Sequence, residues 1–222
     1  MTLVIAVDGT AASGKGTLAK KLAAHFGFAH LDSGSLYRLV ALGVMEGHGD
    51  PNNEADAVKA AKAIDPARAA DPAIRTAEIG SIASIVSAIP AVRAALLDFQ
   101  RHFAAAPPGS LPGAVIDGRD IGTVVCPEAT AKLFVDAKPQ VRAHRRWLEL
   151  KAAGQPREES AILAEIEARD ARDRSRVIAP LKPAPDARLL DTSDLDIDAA
   201  FAAALALVKP SIENALKARQ GG

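Results

Sequence analysis

The segment DGTAASGKGT, Asp8–Thr17, carries the clearest chemical signal in the 222-residue chain. It starts where an apolar run, Leu3–Val7, ends. Gly9 and Gly14-Lys15 fill the first seven positions of the phosphate-loop pattern G-x-x-x-x-G-K-[ST], and Gly16 displaces the hydroxyl residue by one place, to Thr17. Glycines let the backbone wrap tightly enough for several N–H groups to face one anion, and the helix that follows adds its positive end. Lys15 would bring a point charge to the β- and γ-phosphates, and Thr17 a hydroxyl to Mg²⁺. Gly9, Thr10, Ala11, Ala12, Ser13, Gly14, Lys15, Gly16 and Thr17 are thus the expected triphosphate-binding residues. A glycine-rich turn before a helix is the plain alternative.

Two further segments are rich in groups that bind phosphate or metal. In EARDARDRSR, Glu167–Arg176, helical spacing puts Arg169, Arg172, Asp173 and Arg176 on one face and Asp170 and Arg174 on another. Arginine holds phosphate oxygens bidentately, so a reaction that joins two polyanions calls for such a face. A solvated, salt-bridged helix would have the same composition. In VIDGRDIGTVV, Val115–Val125, Asp117 ends an apolar run. It either serves Mg²⁺, directly or through water, or caps the Gly118 turn. The histidines, His25, His30, His48, His102 and His144, lack metal spacing and read as surface or satisfied side chains. His144-Arg145-Arg146-Trp147 reads as a helix surface with one buried Trp.

The G-K-G-T ending resembles nucleoside monophosphate kinases rather than GTPases, which place Ser or Thr directly after the Lys. The guanine-reading N-K-x-D is absent. LDSGSLYR (Leu31–Arg38), PAVRAALLDFQR (Pro90–Arg101), VIDGRDIGTVV, EARDARDRSR and Ala179-Pro180-Leu181 follow the phosphate loop in order. With this spacing the chain resembles the bacterial cytidylate kinases over nearly its whole length. The resemblance implies Mg²⁺-dependent transfer of the ATP γ-phosphoryl to CMP or dCMP. It places Arg38 and Arg119 near the acceptor phosphate, Ser33 and Tyr37 beside the acceptor, and Arg169, Asp173 and Arg176 at the acceptor nucleotide. Asp120 and Ser84 would face the cytosine N4 amino group and Arg93 its N3/O2 edge. Lys15, Arg119, Arg172 and Arg174 would be the catalytic cations, the last two reaching the triphosphate from a closing lid. Thr17 and Asp117 would serve Mg²⁺.

The resemblance further implies a single kinase domain over residues 1–222, with a monophosphate-binding region near 33–104 and a lid near 154–182. One departure stands out. Related enzymes carry a small three-stranded sheet in the monophosphate-binding region, but IDPARAADPAI, Ile64–Ile74, is too short and too Pro-broken to form one. Two other readings stay open: a phosphate-loop kinase for another small acceptor (UMP, TMP or a sugar), and an ATP-dependent switch or nucleic-acid-coupled ATPase.

The elements that must position these residues are legible as an alternation. Leu3–Val7, Phe28–Leu31, Ala114–Ile116, Leu133–Val135 and Ala187–Leu190 read as strands, four of them ending at an aspartate. Apolar runs without alternation fit a parallel sheet covered on both faces. Helical patterns span Lys15–Phe26, Leu36–Glu46, Glu54–Ile64, Ile74–Ala88, Pro90–Phe103, Pro139–Ala153, Ser160–Arg174 and Ile197–Arg219. The expected class is α/β, a doubly wound parallel five-stranded sheet of the P-loop type. Asp65–Pro72 and Ala105–Gly113 read as breaks by their Pro and Gly content.

Lys plus Arg and Asp plus Glu are both 27, so the formal net charge is zero. That argues against a general grip on nucleic acid or an anionic membrane. The single cysteine, Cys126, allows no intrachain disulfide, reads as a small semi-buried residue and fits a reducing cytoplasm. No stretch reads as a membrane span. The expected partners are ATP and CMP or dCMP, with the chain acting as a monomer.

Overall fold

The computed structural model describes residues 2–220. They fall into two compact units: the first runs to Leu31 and resumes at Ala104, and the second is Asp32–Phe103.

The first unit is built on a five-stranded sheet in the order β2-β3-β1-β4-β5. The strands are β1 (Leu3–Gly9), β2 (Ala29–Asp32), β3 (Gly113–Gly118), β4 (Ala131–Asp136) and β5 (Arg188–Asp191). β1 is parallel to both β3 and β4, and β4 to β5. β1 is buried at every position, which is why LVIAV shows no alternation. The expected doubly wound parallel α/β sheet is therefore what forms. Asp8 stands opposite Gly118, and Gly9 opposite Val135, so the carboxyl ends of β3, β1 and β4 lie side by side. In open α/β sheets ligands bind outside these ends, where the strand order reverses.

Helix α1 (Lys15–Phe26) and α8 (Ile197–Gln220) cover one face of the sheet. Leu18 and Leu22 of α1 and Ala200, Ala204, Val208 and Ile212 of α8 pack against Ile5, Val7, Leu133 and Val135. Here the expectation about membrane spans needs correction. Ile197–Arg219, 23 residues, is long and apolar enough to cross a membrane. Its apolar stripe is packed in this core instead, and its other faces carry Asp198, Lys209, Glu213 and Lys217.

Helices α6 (Pro139–Ala152) and α7 (Glu159–Ser175) make a smaller core of Ala143, Leu150, Ile162 and Ile166. Ala12 of the phosphate loop packs onto it. Trp147, expected to be buried, is only partly so, and its ring stacks 5.6 Å from that of His144.

The second unit is helical. α2 (Ser33–Glu46) begins earlier than its apolar periodicity, because Asp32 caps it by accepting the Ser35 N–H at 3.2 Å. α3 (Glu54–Ala63) is capped by Asn53 in the same way. The helix expected over Ile74–Ala88 is broken. Pro66–Ala70 and Pro72–Arg75 are short 3₁₀ turns opened by Asp65 and Asp71, and Thr76 caps a shorter α4 (Ala77–Val86). No strand forms in 64–74, in line with its length and prolines. α5 (Pro90–Ala105) closes the unit. Leu36, Val40, Val44, Ile74, Val86, Val92 and Leu96 are among its core residues.

Candidate active site

The phosphate loop hangs between β1 and α1 and is fastened from several sides. Gly9 has φ +152°, and a Cβ there would lie 1.9 Å from the Val135 carbonyl oxygen, so the position admits glycine alone. Gly14 turns the chain into α1 at φ +85°. Thr10 Oγ1 donates to Asp136 Oδ1 at 2.6 Å, and Ser13 Oγ to the Thr10 carbonyl at 3.0 Å. Thr192 Oγ1 donates to the Ser13 carbonyl at 2.9 Å, and Arg142 Nη1 to the Ala11 carbonyl at 3.1 Å. These bonds hold the Thr10, Ala11 and Ser13 carbonyls in place, and N–H groups of such a glycine-rich loop are what cradles an anion. Lys15 Nζ lies 3.4 Å from the Thr10 carbonyl, and Thr17 is exposed on the first turn of α1.

The segment after β3 faces this loop. Asp117 is buried, and its Oδ1 pairs with His30 Nε2 at 2.8 Å. Its Oδ2 would stand 3.7 Å from a Cβ at position 16. That is ordinary contact distance, so position 16 lies directly beside the Asp117 carboxylate. Carboxylate and hydroxyl oxygens, as Asp117 and Thr17 carry, are the donor types suited to Mg²⁺. Asp120 is also buried, at the head of a single π-helical turn, Ile121–Val125. The first two N–H groups of this turn, Ile121 and Gly122, donate to Asp8 Oδ1 and Oδ2, each at 2.7 Å. Burial pushes the Asp8 carboxyl up to about 7, against the pull of those two N–H bonds and Arg119 and with the push of Asp120.

Helix α7 brings its arginines to the same region. Asp173 is 1% exposed. Its Oδ2 accepts from Arg119 Nε at 3.0 Å, and its Oδ1 from Arg176 Nη2. Burial alone would raise Asp173, but Arg119, Arg176 and Arg169 outweigh it and hold the carboxyl below the usual range. Arg119, Arg169, Asp173 and Arg176 are therefore gathered in one cluster. Arg174 lies apart, 3.7 Å from Asp136 Oδ2, whose other oxygen holds Thr10 of the phosphate loop. Arg172 is exposed. Asp170 forms a buried bidentate pair with Arg142, which ties α7 to the Ala11 carbonyl.

In the second unit, Arg38 Nη1 donates to the Ile74 carbonyl at 2.6 Å. Gly80 makes room for it, since a Cβ there would lie 2.9 Å from Arg38 Nη2. Arg93 sits over the Tyr37 ring at 5.6 Å and donates to the Ser87 carbonyl at 3.2 Å. Ser33, Tyr37 and Ser84 are buried. The Ser84 hydroxyl has no hydrogen-bond partner among the described residues.

Comparison with known proteins gives the family. The family model described as cytidylate kinase matches residues 5–210. The chain belongs to the cytidylate kinase family. Members from Rhodopseudomonas palustris (strain TIE-1) and Bradyrhizobium diazoefficiens are each 56% identical over 207 residues, covering 93% of this chain and 96% of theirs. Membership makes the chain a nucleoside monophosphate kinase, a nucleotide-binding phosphotransferase. A solved structure of an uncharacterized protein from Eubacterium ventriosum aligns with a TM-score of 0.54 at 14% identity, over 94% of this chain and 99% of its own. That similarity bears on the fold alone.

Three residues at the site escaped the sequence reading. Asp8 was only the end of a strand, His30 one of five histidines read as surface or satisfied without a named partner, and Arg142 one of several helix arginines. Their partners stand 113, 87 and 28 positions away, so no local spacing could have singled them out.

Proposed function

We propose that the chain transfers the γ-phosphoryl of ATP to CMP or dCMP, giving ADP and CDP or dCDP. The observation that carries this reading is the convergence of Arg119 and Arg176, from two separate elements, on Asp173. Half-buried arginines gathered beside a phosphate loop are of the type that holds phosphate oxygens bidentately. The relatives' name, cytidylate kinase, supplies the base.

In this mechanism the protein positions and neutralises. The phosphate-loop N–H groups and Lys15 hold the triphosphate. By resemblance to the family, Arg38, Arg119, Arg169, Asp173 and Arg176 hold the acceptor, while Ser33 and Tyr37 lie along it. Ser84 and Asp120 accept from the cytosine amino group, and Arg93 donates to its N3/O2 edge. Arg172 and Arg174 neutralise charge on the transferring group from the lid. Thr17 and Asp117 would hold Mg²⁺, which supplies charge neutralisation at the phosphates. The acceptor is already an anion, so no side chain need act as a general base. Bringing both anions into line and excluding water accounts for the catalysis.

A coupled ADP-release assay across CMP, dCMP, UMP, AMP, GMP and TMP tests the reading. CMP and dCMP are expected to turn over fastest. Equal, low ADP release with every acceptor would refute a kinase, and preference for UMP or AMP would refute the base assignment alone.

A further inference from the structure

The next-to-last residue of β1, Asp8, is a carboxylate for which phosphate binding has no use. Asp8 is 4% exposed and its two oxygens are shared evenly between the N–H groups of Ile121 and Gly122. These are the donors that a helical turn cannot satisfy from within. The turn has no local cap, since Asp120 offers no side-chain bond at its head. Its far end closes on itself: Val124 and Val125 donate to the Asp120 carbonyl, and Cys126 to that of Ile121. The direction in which the backbone presents Arg119 and Asp120 is therefore fixed by a side chain 113 residues earlier. π-helical turns of this kind recur at functional sites.

The surroundings show that the carboxylate is held closely. A Cβ on Gly122 would come within 3.4 Å of Asp8 Oδ2 and 3.1 Å of Lys132 Cδ. A methyl at position 122 would press on the Lys132 stem and touch the Asp8 carboxylate. The charged groups around it are Arg119 and Asp120 on the segment after β3 and Lys132 on β4, whose ammonium lies 2.9 Å from Asp186. Burying a carboxylate is costly, and a neutral amide would offer one acceptor oxygen where two N–H groups need two.

We propose that Asp8 is a positioning residue for the acceptor: through the Ile121 and Gly122 amides it fixes the Arg119–Asp120 segment, and so governs acceptor affinity and base selection but not triphosphate binding. This rests on the reading of Arg119 and Asp120 as acceptor-binding residues.

Asp8→Asn tests it, because the side chain keeps its size while its NH₂ meets a backbone donor. KM for CMP is expected to rise about tenfold, and preference for CMP over UMP to shrink, with KM for ATP changed less than about twofold. Gly122→Ala crowds the same carboxylate and should give the same split. Hydrogen exchange of the 119–126 segment in Asp8→Asn should quicken, with the rest of the sheet protected as in the wild type. A parallel rise in both KM values would overturn the proposal, as would an unchanged KM for CMP or unchanged exchange. Wild-type protein inactive on CMP would refute the acceptor reading itself. Wild-type activity with an unaffected Asp8→Asn would refute the role of Asp8 alone.

Discussion

Asp173 accepts a 3.0 Å hydrogen bond from Arg119, 54 positions earlier in the chain, and is the shared anion that keeps Arg119 and Arg176 side by side. Two arginines this close, 16% and 7% exposed at their side chains, would repel without it. Removing its charge should cost about 3 kcal/mol at neutral pH, because the cations are left uncompensated in a dry environment. The sign with pH follows from the depressed carboxyl. Its contribution is complete above the ordinary carboxylate range and is lost as pH falls through the folded-state value. Urea denaturation of Asp173→Asn against wild type should show the full deficit at pH 7 and a narrowing gap in acid.

Asp8 works in the opposite sense. Its carboxyl is pushed up to about 7 from 3.8, so the native state holds the proton more tightly than the unfolded chain between those values. Stability from this group therefore falls as pH rises across that window, by on the order of 4 kcal/mol, and levels off above it. Asp8→Asn abolishes this dependence. Chemical denaturation at a series of pH values should show wild type losing stability relative to the variant from about pH 4 to 7. A constant difference over that range would contradict the assignment.

Gly9 gives a sharper steric test. The Val135 carbonyl oxygen that a Cβ would strike at 1.9 Å belongs to β4, paired to β1 along its length, and has no room to retreat. Gly9→Ala should destabilise by about 3 kcal/mol or more and abolish ATP binding, whereas Gly27→Ala, at φ +65° with open space around it, should cost about 1 kcal/mol and spare ATP binding. Thermal melts and ATP titrations separate the two.

What was legible in the sequence was what local rules govern. The central strands announced themselves because β1 and β3 are buried at every position and β4 at all but its last, and Lys15–Phe26 was read to the residue because Gly14 and Gly27 bracket it. The phosphate loop needs its glycines at fixed offsets, as Gly9 shows. The helix expected over Ile74–Ala88 forms only over Ala77–Val86, because side-chain caps at Asp71 and Thr76 compete with the apolar period at its start. The fastenings of the candidate site, Asp8 to Ile121 and Gly122, His30 to Asp117 and Arg142 to Asp170, join elements that meet only through the sheet topology. Residue type and spacing proposed Arg119, Asp173 and Arg176 as a group only through resemblance to a family, since nothing in a run of alternating charges says which carboxylate is buried.

Ser84 couples function to a stability defect. Its buried hydroxyl, without a hydrogen-bond partner among the described residues, carries a desolvation penalty of about 1–2 kcal/mol. Ser84→Ala should therefore raise stability by up to about 1 kcal/mol while raising KM for CMP about tenfold, if cytosine is the missing partner. Improved stability with unchanged KM would remove Ser84 from the acceptor site.

Arg142 and Asp170 separate stability from loop positioning. The pair is bidentate and almost fully buried, and the same guanidinium also holds the Ala137 and Ala11 carbonyls. Asp170→Asn or Arg142→Met alone leaves one buried charge uncompensated, at about 3–5 kcal/mol. The double replacement, Arg142→Met with Asp170→Leu, leaves none, so it should recover much of that loss. It still lacks the bond to Ala11, and the phosphate loop loses one of its outer fastenings. The double variant should therefore melt near the wild type yet bind ATP more weakly, by about tenfold for one lost hydrogen bond to a charged donor. Full recovery of both would show that the loop needs no help from α6. Failure to recover stability would show that the carbonyl bonds, rather than the ion pair, hold α6 and α7 to the loop.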